Sequence, residues 1–179
     1  MFEVYDASAL CDARLYEPRE ADPDGACLHT TDGRHSQPWL QGESLASGKG
    51  ASADFLITRS GKIIRLVPRW AMAYHAGVCV YNGMLDRKNK VSRALIGIEV
   101  ENADSAGEVP TPAQHQAAAG LLLVAAGRYG WSPLLVYGHY GLAFPMGRRS
   151  DPRGWNWGYM FWLMAHSHHS ITLYGANPF

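Results

Sequence analysis

The chain of 179 residues is poor in cysteine, in net charge and in long apolar runs, and each shortage excludes a class of protein. Three cysteines (Cys11, Cys27 and Cys79) are too few for a disulfide framework, and no Cys-x-x-Cys pair suggests a zinc–thiolate knuckle. Sixteen basic residues balance sixteen acidic ones, so no basic field favours nucleic acid as a partner. No window approaches roughly 18 uninterrupted apolar residues, which predicts no membrane span. The helix-borne His-Glu-x-x-His arrangement of many zinc proteases is also absent.

What the sequence does contain is the composition of one globular domain. Apolar residues make up 47% of the chain and charged residues 18%, which is typical of a packed domain and not of a disordered segment. No internal repeat or linker interrupts it. We therefore expect a single monomeric domain over residues 1–179, with an irregular lead-in at 1–25 and a tail at 166–179. The N-terminus lacks the apolar segment of a secretory signal peptide, so we expect synthesis and folding in a reducing cytoplasm.

Apolar patterning interleaves strands with helices and predicts an α/β fold. Residues 95–101 (LIGIEVE) alternate strictly, so branched apolar side chains face one way while Glu99 faces the other. Thr111 followed by Pro112 predicts the start of a helix that ends before Gly130. The remaining predicted elements are strands at 26–28, 54–58, 62–67 and 134–137 and a short aromatic helix at 155–165.

Two histidines and one carboxylate stand at the ends of predicted strands or close after them. His29 and His139 each follow a strand, and Asp151 closes the basic loop after His139. Each has an ordinary interpretation when taken alone, since a histidine at a strand end is more often structural or exposed, and Asp151 before proline suits a turn. Together they form a nitrogen–oxygen set that leaves a fourth position open, as catalytic zinc sites require. Glu99 would then be a candidate base, although it could simply face solvent.

Six motifs between Cys27 and Trp157 occur in a recognisable order. They are LHTTDG at 28–33, DFLITRSGKIIRLVP at 54–68, AYHAGV at 73–78, IGIEVEN at 96–102, TPAQ at 111–114, and GHYGLAFP followed by RRSDP within 138–152. In this respect the chain resembles the type-2 N-acetylmuramoyl-L-alanine amidase family, which includes phage lysozymes of the T7 type, anhydro-muropeptide amidases and peptidoglycan recognition proteins. The resemblance implies a central mixed β-sheet flanked by helices, the zinc amidase and peptidoglycan recognition protein fold.

The resemblance also implies a role for individual residues. His29, His139 and Asp151 match the family's zinc ligands, and the aspartate is typical of the anhydro-muropeptide branch. Glu99 matches the acid that activates water in that branch. Arg149 stands where the family usually has lysine, so the charge is kept while the planar guanidinium donates differently.

The remaining histidines and aromatic residues carry weaker expectations. His75 lies in the YHAG motif and is expected in the substrate cleft. Trp70 and Tyr74 beside it could stack on sugar rings, although such aromatics are as often part of a core. We expect His115 to be a surface or packing histidine, and the histidines near the C-terminus (His166, His168 and His169) to belong to a polar tail rather than to a second metal site.

The function implied by the resemblance is zinc-dependent hydrolysis of the amide that joins the lactyl group of N-acetylmuramic acid to L-alanine of the stem peptide. Zn²⁺ is the expected cofactor, and peptidoglycan or muropeptides are the expected partners. We favour a phage endolysin, made in the host cytoplasm and acting on the cell wall. Two alternatives stay open: a cytosolic amidase that recycles anhydro-muropeptides, and a recognition module that binds muropeptides without cutting them.

Overall fold

The computed structural model describes residues 2–86, 90–167 and 173–174 of the chain. Its strands are β1 (Phe2–Asp6), β2 (Tyr16–Pro18), β3 (Gly25–Thr30), β4 (Phe55–Ile57), β5 (Ile63–Arg65), β6 (Ala71–Ala73), β7 (Cys79–Tyr81), β8 (Met84–Asp86), β9 (Leu95–Val100), β10 (Val136–Gly138) and β11 (Leu173–Tyr174). Its α-helices are α1 (Ser44–Ala46), α2 (Lys90–Ala94), α3 (Pro112–Tyr129), α4 (His139–Leu142) and α5 (Trp157–His166). Short turns of other helix types lie at Ser8–Leu10, Ala13–Leu15, Trp39–Glu43 and Asp104–Ala106.

Within the described residues, seven strands form one mixed sheet in the order β10-β3-β9-β4-β5-β1-β11. Neighbouring strands run parallel except β4 and β5, which form the antiparallel hairpin predicted from 54–58 and 62–67. Two small antiparallel pairs, β2 with β6 and β7 with β8, lie outside this sheet. The predicted mixed sheet with flanking helices is confirmed.

The two faces of the sheet differ because side chains alternate along each strand. On β3 and β9, Leu28 and Ile98 belong to the main apolar core, together with Leu121 of α3 and Met160 of α5. The residues that follow them in sequence, His29 and Glu99, are register partners and therefore share the opposite face. We call these the helix face and the cleft face of the sheet.

Helix α3 begins and ends as its sequence predicts. The Thr111 hydroxyl accepts a hydrogen bond from the Gln114 amide at 3.1 Å, and the Gln114 side chain accepts one from the Thr111 amide at 2.9 Å, which completes a capping box. Gly130 takes a left-handed conformation (φ 75°) and ends the helix. The Gln114 side-chain amide also donates to the Glu101 carbonyl at 2.8 Å, which fixes the start of α3 against the end of β9.

The irregular lead-in expected at residues 1–25 is wrong for its first segment. Residues Phe2–Asp6 form β1, which pairs with β5 inside the main sheet. Val4 packs against the core while its neighbours Glu3 and Tyr5 are exposed, so burial of one face favours the pairing. The strand expected at 134–137 is displaced to Val136–Gly138, and the aromatic helix expected at 155–165 spans Trp157–His166.

The structure describes only residues 166–167 and 173–174 of the C-terminal tail expected at 166–179. His166 is the last residue of α5, and its Nδ1 donates to the Trp162 carbonyl at 2.8 Å. His168 and His169, for which a polar tail was expected, lie outside the described residues. In the described part of the chain, no helix combines the length and the apolar character needed to cross a membrane.

Candidate metal centre

The C-terminal ends of three parallel strands meet at one edge of the sheet and bring the predicted site residues together. Strand β3 lies between β9 and β10, and His29 is the register partner of Glu99. Gly138 at the end of β10 pairs with Leu28, so His139 leaves the sheet beside His29. Residues far apart in sequence therefore meet because the ends of parallel strands share an edge.

Three ligand atoms converge at this edge. His29 Nδ1 lies 2.9 Å from His139 Nδ1, and Asp151 Oδ2 lies 3.1 Å from His139 Nδ1 and 3.4 Å from His29 Nδ1. Both histidines are buried, and Asp151 is half-buried. The three residues predicted as a set from the sequence thus form one cluster in space.

The spacing of these atoms fits a tetrahedral zinc ion. Nitrogen and oxygen ligands lie roughly 2.0–2.1 Å from zinc, which places neighbouring ligand atoms of a tetrahedron about 3.3–3.4 Å apart. The observed separations of 2.9–3.4 Å approach that value without any rearrangement of the backbone. Two imidazoles and one carboxylate are also a donor set that zinc accepts.

A second group that could hold a metal shares His29. Cys27, His29 and His75 also place ligand atoms near one another. Cys27 is fully buried and does not line the cleft, whereas His29, His139 and Asp151 all do. A hydrolytic centre needs an open coordination position for its substrate, so the set with His139 and Asp151 is the better candidate.

The second ring nitrogen of each histidine ligand has a partner of its own. His139 Nε2 lies 3.0 Å from the Ala76 carbonyl oxygen, and His29 Nε2 lies 3.0 Å from His75 Nδ1. Burial lowers the pKa of His29 to about 4 and that of His75 well below its ordinary value, so both rings are neutral at physiological pH. Neutral imidazole is the form that binds metal.

Glu99 lies beside the cluster, and its side chain is half-buried. Its Oε2 is buried and has no hydrogen-bond partner among the described residues. Burial raises the pKa of Glu99 to about 8; the negative charge of Asp151 adds to this rise, and the positive charge of Arg149 opposes it. A carboxyl group with a strongly raised pKa next to a candidate metal site is typical of a general acid or base.

The cluster forms the floor of a cleft of about 770 Å³, a volume that suits a small-molecule or peptide ligand. Arg149 is exposed on its wall, as expected for a residue that meets substrate. Arg148 also lines the cleft, but its guanidinium donates to the carbonyls of Phe144 and Val78 at 2.8 and 2.6 Å. Of the two arginines in the loop, Arg148 therefore braces the loop, whereas Arg149 faces the cleft.

The structure separates the three residues predicted to bind substrate. His75 reaches the cleft floor but is only 9% exposed. Trp70 and Tyr74 are not among the residues that line the cleft. Trp70 is exposed and packs edge-on against Tyr16, and the Tyr74 hydroxyl donates to Glu17 at 3.4 Å. The short strand β6 and its flanking residues run along β2, which directs these two aromatic side chains away from the site.

Residues that the sequence analysis did not single out complete the cleft. Its far wall carries Trp39 and Lys49, whose ammonium lies 5.8 Å from the Trp39 ring centre. Asp104 and Arg153 line the side near Asp151, and the Arg153 amide donates to Asp104 at 3.3 Å. They lie in loops or in short helical turns that show no periodicity, so no pattern in the sequence indicated their direction.

His115 is a packing residue, as predicted, and lies away from the metal cluster. Its Nδ1 donates to the Thr111 carbonyl at 2.8 Å, and its Nε2 accepts from the Asn156 amide at 3.1 Å. The ring stacks on Trp155 with a centroid distance of 4.1 Å. It is buried, although a surface position was the other expectation.

Comparison with known proteins gives a consistent result. The sequence profile of the N-acetylmuramoyl-L-alanine amidase family matches residues 19–154, a span that includes every candidate ligand together with Glu99 and Arg149. The 1,6-anhydro-N-acetylmuramyl-L-alanine amidase AmpD of Enterobacter cloacae is 37% identical over 101 residues, which are 56% of this chain and 50% of AmpD. AmpD of Citrobacter freundii is 38% identical over 101 residues, with the same shares. The chain thus spans about half the length of the curated relatives it matches.

Solved structures share the fold. An AmpD derivative superposes with a TM-score of 0.69 at 24% identity, over 90% of this chain and 93% of that one. AmiD of E. coli, in complex with anhydro-N-acetylmuramic acid-L-Ala-D-gamma-Glu-L-Lys, gives 0.61 at 26% identity, over 82% and 60%. The endolysin amidase LysCS of Clostridium intestinale gives 0.55 at 19% identity, over 79% and 83%. The fold predicted from the resemblance is confirmed.

Proposed function

The chain belongs to the N-acetylmuramoyl-L-alanine amidase family, and on this basis we propose that it hydrolyses the amide between the lactyl group of N-acetylmuramic acid and L-alanine of the stem peptide. One observation carries the proposal: three ligand atoms, from His29, His139 and Asp151, converge within 3.4 Å of one another beside the carboxyl group of Glu99.

We assign His29, His139 and Asp151 as the residues that would hold zinc. Zinc at such a site supplies Lewis acidity, which acidifies water and polarises a carbonyl group. The remaining steps belong to the protein. Glu99 takes the proton of the attacking water and returns it to the leaving amine, a transfer typically worth about 10²–10⁴-fold in rate. A nearby cation favours its ionised form, because an opposite charge lowers the pKa of a carboxyl group.

Arg149 is proposed to stabilise the oxygen on which negative charge develops. It lines the cleft, and its positive charge opposes the rise in the pKa of Glu99 that burial causes. One such donor is typically worth about 3–4 kcal/mol in the transition state. The guanidinium keeps the charge of the lysine found elsewhere in the family but presents it as a planar fork.

The polar groups of the cleft suit a muropeptide. Lys49 and Arg153 can pair with stem-peptide carboxylates, and Trp39 offers the aromatic surface for a sugar ring that was expected from Trp70 and Tyr74. The curated relatives are named for the 1,6-anhydro form of the sugar. They support a recycling amidase at least as well as the endolysin favoured by the sequence analysis.

The test is an assay of the zinc-loaded protein on two substrates, soluble anhydro-muropeptides and intact sacculi, with release of the free L-alanyl amino terminus as the readout. Cleavage of the soluble substrate with little release from sacculi supports the recycling enzyme, and the opposite result supports an endolysin. If neither substrate is cut while both bind, the chain is a recognition module and the enzymatic proposal is wrong.

A further inference from the structure

His75 is predicted to contact substrate, yet its ring is engaged on both sides by the protein. Its Nε2 lies 3.2 Å from the Leu95 carbonyl oxygen, and its Nδ1 lies 3.0 Å from His29 Nε2. The same two-residue segment touches the other histidine ligand, because the Ala76 carbonyl oxygen lies 3.0 Å from His139 Nε2. One turn of irregular chain therefore contacts both candidate imidazole ligands from behind.

The hydrogen-bond partners fix which nitrogen of each ring carries the proton. A carbonyl oxygen only accepts, so His75 Nε2 must donate to Leu95, which leaves Nδ1 of a neutral His75 ring as an acceptor. His29 must then donate from Nε2, and its Nδ1 carries a free lone pair. The carbonyl of Ala76 selects the same tautomer of a neutral His139 ring, with the proton on Nε2.

As a consequence, hydrogen-bond acceptors of the proposed ligands face one another at the floor of the cleft. In these tautomers of the neutral rings, His29 Nδ1 and His139 Nδ1 are both acceptors; they lie 2.9 Å apart, with a carboxylate oxygen of Asp151 at 3.4 and 3.1 Å, respectively. Three acceptors at these distances repel one another unless a cation lies between them. The hydrogen bonds to Nε2 of the two histidines thus leave three acceptor atoms facing one another, and a metal ion between these atoms would remove their repulsion.

The segment is held in place by a buried hydroxyl group and by a glycine on β9. The buried Ser92 hydroxyl accepts hydrogen bonds from the amides of His75 and Ala76, at 3.3 and 3.2 Å. Gly97 on β9 provides the space, since an added Cβ would come within 2.4 Å of the His75 ring. Glycine inside a strand often marks such a close approach.

We propose that His75 and Ala76 form an orienting segment for the metal centre. The His75 ring and the Ala76 carbonyl select the tautomers of His29 and His139 that present Nδ1 to the metal. His75 is thus a positioning residue that acts through His29 and not a substrate contact. Partners behind metal-bound histidines typically contribute about 10–100-fold to metal affinity. The proposal rests on the proposed function for the identity of the ligands only, and it concerns binding of Zn²⁺ in the absence of any substrate.

The test compares two variants of equal shape. In His75→Asn, the side-chain oxygen stands close to the position of Nδ1 and can accept from His29, whereas His75→Leu has the same branching and no acceptor. Both lose the ring and its bond to Leu95, so a purely structural role would affect them alike. We expect the Zn²⁺ dissociation constant of His75→Leu to rise about 10–100-fold, and that of His75→Asn to stay within about 3-fold of wild type, measured by competition with a chromophoric chelator. His115→Leu, which removes a buried histidine outside the site, is the control and should bind Zn²⁺ normally.

A measurement on the metal-free wild type keeps the test decisive if a variant does not fold. Nitrogen-15 NMR of the imidazoles should find the proton of His29 on Nε2 in wild type and in His75→Asn, and redistributed to Nδ1 in His75→Leu. A proton on His29 Nδ1 in wild type would overturn the proposal, as would equal Zn²⁺ affinity in the Asn and Leu variants. If His75→Leu loses affinity as expected but the wild type cuts no muropeptide, the orienting segment stands and the proposed function fails.

Discussion

The helix face and the cleft face of the sheet are built from alternate residues of the same strands, yet they treat polar groups in opposite ways. On the side of the helix face, His115 of helix α3 has both ring nitrogens bonded to backbone groups and its ring stacked on Trp155 of the main core. On the cleft face, His29 has one nitrogen bonded and the other directed at His139 and Asp151. Both histidines are buried, so burial alone does not distinguish a packing histidine from a candidate ligand.

The buried groups without partners sharpen this difference. Among the described residues, the buried side-chain atoms without a hydrogen-bond partner are the indole nitrogens of Trp131 and Trp155 in the main core, Arg65 Nε, which lies 3.5 Å from Asp6 Oδ2 in an ion pair, and Glu99 Oε2 on the cleft face. An unpaired neutral N–H is a modest cost, but an unpaired carboxyl oxygen is expensive and shifts the pKa of its group. The cleft face therefore carries unfavourable electrostatic interactions that a bound metal ion and a substrate would reduce. It follows that substitutions on the two faces should fail in different ways.

The largest effect is expected from loss of a ligand. In His139→Ala, Zn²⁺ affinity should fall by more than about 100-fold, because loss of a mere hydrogen-bond partner behind a ligand already costs 10–100-fold. Amidase activity should disappear with the metal. Zn²⁺ affinity is measured by chelator competition, and circular dichroism checks the fold. Wild-type affinity in a folded His139→Ala protein would remove His139 from the site.

Substitution of Glu99 distinguishes the catalytic step from metal binding on the cleft face. In Glu99→Gln, we expect Zn²⁺ affinity within about 10-fold of wild type and kcat lower by about 10²–10⁴-fold, since the amide cannot take a proton. The matched control is Glu101→Gln, two residues along the chain and outside the cleft lining, where Glu101 Oε1 accepts from the His35 amide at 2.6 Å. Equal losses of kcat in the two variants would argue against Glu99 as the base.

Substitution of Leu28, one residue before the proposed ligand His29, tests how much the helix face contributes to stability. Its side chain is fully buried in the main core, so Leu28→Ala should reduce the free energy of unfolding by about 3–5 kcal/mol through lost burial and a cavity. The folded fraction should still bind Zn²⁺ with affinity near wild type. Denaturant unfolding measures the first quantity and chelator competition the second. The control Leu134→Ala, at a side chain 69% exposed, should change stability by less than about 0.5 kcal/mol.

Periodicity explains only part of what was predictable from sequence. The alternation of residues 95–101 assigns Glu99 to one face of its strand, and a short apolar run predicts a strand that ends at His29; parallel strands then bring their ends together. Periodicity assigns no direction to side chains in loops and short helical turns: Trp70 was expected in the cleft, but Trp39 lines it instead. Strand β1 was missed because its partner β5 lies more than 50 residues away, and no local signal encodes that pairing.

One signal in the sequence, a glycine within a strand, points to the orienting segment. Gly97 stands on the polar face of a strand whose other face is β-branched, and a glycine there indicates that another group approaches the backbone closely. The structure identifies the approaching group as the His75 ring. The hydrogen bond from His29 to His75 was not predictable in the same way, since it depends on the path of the irregular chain between β6 and β7.

The smallest expected effect concerns the pH dependence of the helix face. Burial lowers the pKa of His115, partly offset by its hydrogen bond to Thr111, so the unfolded chain binds the proton more readily than the folded protein. Its contribution to stability is therefore fully present above the ordinary histidine pKa of about 6.5, and it is lost as pH falls towards the lower pKa of the folded state. The free energy of unfolding of wild type minus that of His115→Gln should thus decrease between pH 7.5 and 5.0, by about 1 kcal/mol for each unit of pKa shift. Denaturant titrations of the metal-free proteins measure this difference while contributions from Glu99 and the cleft histidines cancel. A difference that is flat or rises on acidification would mean that His115 carries a proton in the folded state, and the contrast between the packing histidine His115 and the histidines of the cleft face would then fail.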